Sequence, residues 1–337
     1  MAREQRRELI ERLEQKRGSK VLCILTSDRN NAQGIIAKDF IPVAYNHLRE
    51  FGSLTRLDVF LFTLGGDTLA AFGLCRALRE FAMEVCVLVP EKCHSAGTLF
   101  ALGANKIVMS PVATLSPIDP SITSPLGPVV EAAPGMRQPV AISVESVAGF
   151  RDLVKKDWEL GSEGMVAAFR VLAEKINPLA LGDVFRSRQQ IELLAKKLFA
   201  LHRNDDAEIT RITEHLIRGF GSHDYLISRA EAQELFGKNQ VPDPNPEETN
   251  LIWELFTDFA AEMKLGQNFD AGAILNNALA NNQTGSVREV QQIVRIESAA
   301  RADVWERELL LGFSPAAPGQ QPQPQVRPLY NDWKRQA

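Results

Sequence analysis

Two spacings of apolar residues run along this chain. Four stretches are apolar at nearly every position and have strand length: KVLCILT (20–26), DVFLFTL (58–64), EVCVLVP (84–90) and the shorter KIVMSP (106–111). Between them, residues 39–51, 68–81 and 96–103 read as helices. Strands apolar on both faces that alternate with helices predict a buried, mostly parallel sheet of the α/β class. Ahead of the first strand, Leu9, Ile10 and Leu13 form one stripe among Arg and Glu over residues 3–17. That pattern predicts a surface helix stopped by Gly18.

From residue 143 to about 218 the spacing turns helical, as in ESVAGFRDLVKKDWEL and RSRQQIELLAKKLFAL. GSHDYLISRAEAQELFG (221–237) reads as a short extended piece leading into a helix, and VPDPNPEE (241–248) as a proline-rich break. Residues 249–264 look helical; EVQQIVRIES (289–298) fits either a strand or a helix. The stretch from residue 313, rich in Pro and Gln, lacks the apolar residues of a core and is expected to be disordered. The expected division is a main domain over 1–240, a mostly helical extension over 241–312 and a tail over 313–337.

Composition narrows the function. A 337-residue chain with a net charge of −4 lacks the basic surplus of a general nucleic-acid binder. The charged N-terminus is not a secretory signal, and no window is apolar enough to span a membrane. Cys23, Cys75, Cys86 and Cys93 sit mostly inside apolar runs and read as reduced, buried thiols of a cytoplasmic protein. No cysteine or histidine cluster with metal-ligand spacing appears, and no cofactor is called for.

The candidate chemistry lies in PEKCHSAGTLFALGANKIVMSP (90–111). A strand ending near Val89 and a helix starting near Ala96 put Ser95 at a helix N-terminus, where main-chain N–H groups lack partners. Ser95 there serves either as a helix cap or as a nucleophile on a tight turn. In FTLGGDTLAAFGL (62–74), Gly65 and Gly66 end a strand and let the main chain approach a ligand closely. In a parallel sheet both loops leave the same carboxyl edge. Amides of Gly65, Gly66 and Ala96 are therefore candidates for an oxyanion hole beside Ser95. Asp67 reads as a cap of the following helix.

LGGD about 30 residues before SAGTLFALGANKIVMSP, followed by IDP, resembles the Clp-protease/crotonase superfamily. Its closest likeness is the signal-peptide-peptidase branch, and within it the serine dehydrogenase proteinase family. VLCILTSDRN, FLFTLGGDT, LSPIDPSI, NPLALGDVFRSRQQI and GSHDYLISRAEA carry the likeness over residues 5–240. The resemblance implies a spiral of ββα units with helical additions, serine-nucleophile peptidase chemistry and homo-oligomers.

A serine nucleophile needs a base. Where the Clp peptidases place a histidine, about 25 residues on, this chain has Asp119. Where signal-peptide peptidases use a lysine, it has Lys155 and Lys156 late in a helix; Lys156 is the alternative base. DYLISRAEA resembles the Clp segment that begins with the triad aspartate, which puts Asp224 at that position and His223 beside it. The reading inferred from this is an exchange of partners: His223 as base, oriented by Asp119, with Asp224 as a supporting residue or cap. His94 is next to Ser95, but adjacent residues of an extended loop point opposite ways. His47, His202 and His215 fall in helical patterns.

Three functions compete: a serine peptidase acting on peptides or unfolded proteins, a crotonase-type acyl-CoA enzyme, and a non-catalytic oligomeric scaffold. Only the first requires an active hydroxyl at Ser95.

Overall fold

Leu9, Ile10 and Leu13 are buried on one side of α1 (Arg3–Arg17), and Gly18 follows it at φ 61°. The chain continues through β1 (Lys20–Thr26), α2 (Phe40–Phe51), β2 (Leu54–Phe62), α3 (Thr68–Arg79), β3 (Ala82–Val89), β4 (Lys92–Cys93), α4 (Ala96–Ala101), β5 (Lys106–Met109) and β6 (Thr114–Leu115). The computed structural model describes residues 3–118, 121–122, 124–133, 136–140, 142–243, 245–283, 285–314 and 323–336.

β1, β2, β3 and β5 pair side by side in parallel, with Leu22 opposite Val59, Val59 opposite Val87 and Val87 opposite Ile107. The continuous apolar runs follow from this placement, because both faces of each strand are covered. α1 and a later helix cover one face: Leu9, Ile10 and Leu13 meet Val21, Cys23, Phe60 and Phe62 in a buried cluster.

The next stretch holds β7 (Ser121–Ile122), β8 (Val129–Ala133), β9 (Met136–Pro139), β10 (Ile142–Ser143), α5 (Val144–Asp152) with a π-helical turn over Leu153–Asp157, α6 (Ser162–Lys175), α7 (Pro178–Phe199), α8 (Asp206–Arg218) and β11 (Ile227–Ser228). Residues 116–227 form a compact unit of their own. Asn177 caps α7, with Pro178 in its first turn, and Asp205 caps α8 by accepting from the N–H groups of Ala207 and Glu208. These are preferred residues at those positions.

Residues 1–115 and 228–337 form the other unit. Its second part is α9 (Arg229–Phe236), α10 (Pro246–Met263), α11 (Ala271–Ala280), β12 (Val287–Glu297), β13 (Ala302–Phe313) and β14 (Pro324–Gln336). Ser228 and Glu231 close a capping box on α9. α10 adds Leu255, Phe256 and Phe259 to the cluster under the sheet. β12, β13 and β14 add antiparallel strands beside β1, giving one sheet in the order β14-β13-β12-β1-β2-β3-β5.

The α/β class and the parallel sheet agree with the apolar runs. The segment expected as a helical extension, 241–312, carries two helices and then two long strands. The segment expected to be disordered from residue 313 includes β14. Its residues are nearly all exposed, so composition alone gives no sign of it; the main-chain ladder to β13 orders it. Among the described residues, no helix is long and apolar enough to cross a membrane.

Candidate active site

β2 and β3 end side by side, and the loops that leave them are joined before either enters its helix. The Thr63 N–H donates to the Lys92 carbonyl at 2.9 Å, and the Thr63 carbonyl accepts the His94 N–H at 3.0 Å. This short parallel bridge fixes the register of the loop that carries Ser95.

Ser95 sits at φ 50°, ψ −113°. The carbonyl before it, on His94, accepts the Gly97 N–H at 2.8 Å. These values match the first central position of a type II′ turn, a place that favours glycine. A side chain held there costs of order 1–3 kcal/mol. The Ser95 side chain makes no capping bond to α4, so the cap reading is not met. The residue is half-buried. Gly97 is required behind it: a β-carbon there would lie 2.5 Å from Thr63 Cγ2.

Gly65 and Gly66 have φ of 116° and 145°. A β-carbon on Gly65 would meet the Ser95 β-carbon at 2.8 Å; one on Gly66 would lie 2.4 Å from the Ile36 carbonyl oxygen. The pair is thus wedged between Ser95 and the loop after β1. The Gly65 carbonyl accepts the Ile36 N–H, and the Asp67 N–H donates to the Ile36 carbonyl, both at 2.8 Å. The Gly65 N–H donates to Thr63 Oγ1 at 3.0 Å, so that amide is committed. Among the described residues, the N–H groups of Gly66 and Ala96 donate to no carbonyl or side chain. Asp67 caps α3, accepting from Leu69 and Ala70.

Around this core, His94 Nε2 lies 2.8 Å from Thr114 Oγ1. Lys92 Nζ donates to Asp28 at 2.7 Å. Burial opposes the charge on Lys92, but Asp28 and Glu91 outweigh it and raise its pKa, so it stays a cation. All four cysteines are free thiols. Burial pushes Cys75 and Cys86 up to about 12 and Cys93 higher still, so none supplies a thiolate at neutral pH.

The other candidates belong to the unit over 116–227. His223 is half-buried and Asp224 exposed, with the Asp224 N–H donating to Ser222 Oγ at 3.2 Å. Lys156 is 69% exposed and donates to Asp152 at 2.9 Å. Asp119 lies outside the described residues. His202 and His215 pack on Phe199 and Phe220. His47, in the unit that carries Ser95, is fully buried.

The sequence reading missed Thr63 and Thr26. Thr26 Oγ1 donates to Thr63 Oγ1 at 2.9 Å. KVLCILT ends on a threonine and a second stands near the end of DVFLFTL, but threonine at a strand end is ordinary and marks neither residue as part of a site.

A serine on a strained turn, set against a glycine pair at the carboxyl edge of parallel strands, is a hydrolase-like arrangement. Residues 1–148, which contain it, match the family model of ClpP-like SDH-type serine proteinases, in line with the resemblance seen in the motifs. Two uncharacterized proteins of Methanocaldococcus jannaschii are similar in sequence. One is 42% identical over 66 residues, which is 20% of this chain and 23% of the relative. The other is 28% identical over 130 residues, 36% of this chain and 44% of the relative. The matched region thus spans less than half the length of either. Among solved structures, a mutant of the 1510-N membrane-bound stomatin-specific protease aligns with a TM-score of 0.33 and 13% identity, over 65% of this chain and 77% of that one. A mutant of ClpP1 from Listeria monocytogenes aligns with a TM-score of 0.37 and 15% identity, over 70% of this chain and 99% of that one.

Proposed function

We propose that the protein is a serine peptidase-like hydrolase that cleaves peptide bonds through an acyl-enzyme at Ser95. The Ser95 oxygen attacks the scissile carbonyl, and its proton passes to a base. The oxyanion that forms is met by the N–H groups of Gly66 and Ala96; as it collapses the C–N bond breaks, and the base returns its proton to the departing amine. Water then repeats the sequence on the ester and frees Ser95. The observation that carries this reading is the strained Ser95 turn held against Gly65. Such strain persists where the surroundings over-determine it, and it concentrates at functional sites. A peptide or unfolded chain is the proposed substrate, and a cytoplasmic homo-oligomer of the signal-peptide-peptidase-like type is the proposed form.

The base is assigned from sequence: His223, oriented by Asp119. A fluorophosphonate probe tests the nucleophile. The folded protein is expected to label, and Ser95→Ala to lose the label. A folded wild-type protein that does not label would overturn the reading in favour of an acyl-CoA enzyme or a scaffold. His223→Ala is expected to lose activity while Lys156→Ala keeps it; the reverse pattern moves the base to Lys156.

A further inference from the structure

We propose that Thr63 is the positioning residue of this site, setting the aim of the oxyanion-binding amides relative to Ser95. The inference rests on the reading of Ser95 as nucleophile and adds a residue to it. Thr63 is fully buried, so its hydroxyl must be satisfied from within. It accepts from the Gly65 N–H at 3.0 Å and from Thr26 Oγ1 at 2.9 Å, and donates to the Gly65 carbonyl at 3.3 Å. One hydroxyl therefore answers both polar groups of Gly65.

The consequence lies one atom further on. The Gly65 carbonyl and the Gly66 N–H belong to one planar peptide group and point in opposite directions. Holding that carbonyl, from Thr63 on one side and the Ile36 N–H on the other, aims the Gly66 N–H. Glycines at φ 116° and 145° carry no side chain to fix the peptide between them, so these bonds set its orientation. The same residue reaches the other half of the site. Its main chain is bonded to Lys92 and His94, and its methyl fills the space that a side chain on Gly97 would need.

The hydroxyl and the methyl can be separated. Thr63→Val keeps the shape and removes the hydroxyl; Thr63→Ser keeps the hydroxyl and removes the methyl. In the full chain, the second-order rate of fluorophosphonate labelling at Ser95 is expected to fall about tenfold or more in Thr63→Val, somewhat less than the loss of a direct oxyanion donor. Thr63→Ser is expected to stay within about threefold of wild type, the rescue that a hydroxyl-based role demands. Should Thr63→Val not fold, Thr26→Val takes its place; it removes the second donor to Thr63 Oγ1 and is expected to slow labelling measurably.

A folded Thr63→Val that labels at the wild-type rate overturns the proposal while leaving Ser95 as nucleophile. So does a Thr63→Ser that falls as far as Thr63→Val, since packing would then be its whole contribution. Thr26→Val at the wild-type rate, where it stands in, counts against the proposal equally. A folded wild-type protein that takes no label overturns this proposal together with the Ser95 reading, and is told apart by the wild-type control.

Discussion

A β-carbon placed on Gly65 would lie 2.8 Å from the β-carbon of Ser95. Two groups that close leave no room for any residue but glycine, and at φ 116° an L side chain would be strained even in open space. Gly65→Ala is therefore expected to displace the loop and to lower the labelling rate of Ser95 by about a hundredfold, the scale of a lost oxyanion contact. Gly18→Ala is the control. It also forces a positive φ, 61°, but meets nothing within 4 Å. It should cost about 1–2 kcal/mol of stability and leave labelling unchanged. Equal labelling by wild type and a folded Gly65→Ala would show that the contact carries no function.

The Ser95 turn sets stability against function. A side chain at φ 50°, ψ −113° is strained, and glycine relieves that strain, since the mirror-image region is open to it. Ser95→Gly is expected to raise the melting temperature while abolishing fluorophosphonate labelling. The gain is on the order of 1 kcal/mol, the lower part of the usual range for such strain after glycine's entropy is subtracted. Thermal unfolding of Ser95→Gly beside Ser95→Ala measures it, because alanine keeps the strain and loses only the hydroxyl. A Ser95→Gly no more stable than Ser95→Ala would mean that the turn is not strained.

Much of this fold is legible from residue type alone. β1, β2, β3 and β5 announce themselves because burial on both faces demands unbroken apolar runs. β13 and β14 do not, because main-chain ladders order them and many of their positions carry cross-strand polar pairs. Arg307 donates to Gln291, Arg288 pairs with Glu308, and Lys334 pairs with Glu306. Trp333 pins the last strand, donating from Nε1 to Asp39 at 2.6 Å and standing edge-on to Phe40 and Trp305. None of these partners is near in sequence, so periodicity carries no trace of them. At the site, the serine and the glycines could be picked out as chemistry-bearing. The choice between a helix cap and a strained turn at Ser95 could not, because it is a matter of dihedral angle and both uses place serine before a helix. Thr63 was hidden for another reason. Threonine at a strand end is ordinary, and only its bonds to Gly65 distinguish it.

A buried Ser–His–Asp chain lies elsewhere in the same unit and makes a useful contrast. His47 stands 2.9 Å from Ser298 Oγ and 3.1 Å from Asp303 Oδ2. His47 has no exposed surface and Ser298 only 1%, so no substrate reaches them, and Ser298→Ala is expected to leave labelling unchanged. The role of the group is stability. Burial pushes the Asp303 carboxyl up, but the adjoining His47 ring and the Arg301 guanidinium outweigh it and bring the pKa down from 3.8 to about 2. A carboxyl whose folded pKa is lowered stabilises above its unfolded pKa, and that contribution is lost as pH falls through the folded value. The window is therefore about pH 4 down to about 2, and the loss is at most about 2–3 kcal/mol. Urea unfolding at pH 5, 3 and 2 should show a shallower acid slope in Asp303→Asn than in wild type. Parallel slopes would remove Asp303 from the acid response.

The charged cluster beneath the sheet predicts a sharper effect. Arg6 is 1% exposed, yet its Nε lies 3.2 Å from Asp258 and 3.5 Å from Glu297, and a terminal nitrogen lies 2.6 Å from Glu262. Its guanidinium stands 4.6 Å from the centre of the Phe259 ring. Arg295, also buried, bonds to Glu262 and Glu297. Two cations thus face three carboxylates between α1, α10 and β12. Removing Arg6 leaves buried negative charge with half its compensation. Deleting one partner of a buried pair typically costs about 3–5 kcal/mol. Arg6→Met, which keeps the apolar stem, is expected to cost that much in denaturant unfolding. Pairing it with Asp258→Leu removes one of the stranded carboxylates and should restore a large part of the loss, because an apolar replacement of a whole buried pair is often close to neutral. The interaction energy from the four-protein cycle measures the coupling. Strict additivity of the two single losses would mean that Arg6 and Asp258 stabilise the unit independently, and the cluster would not act as one network.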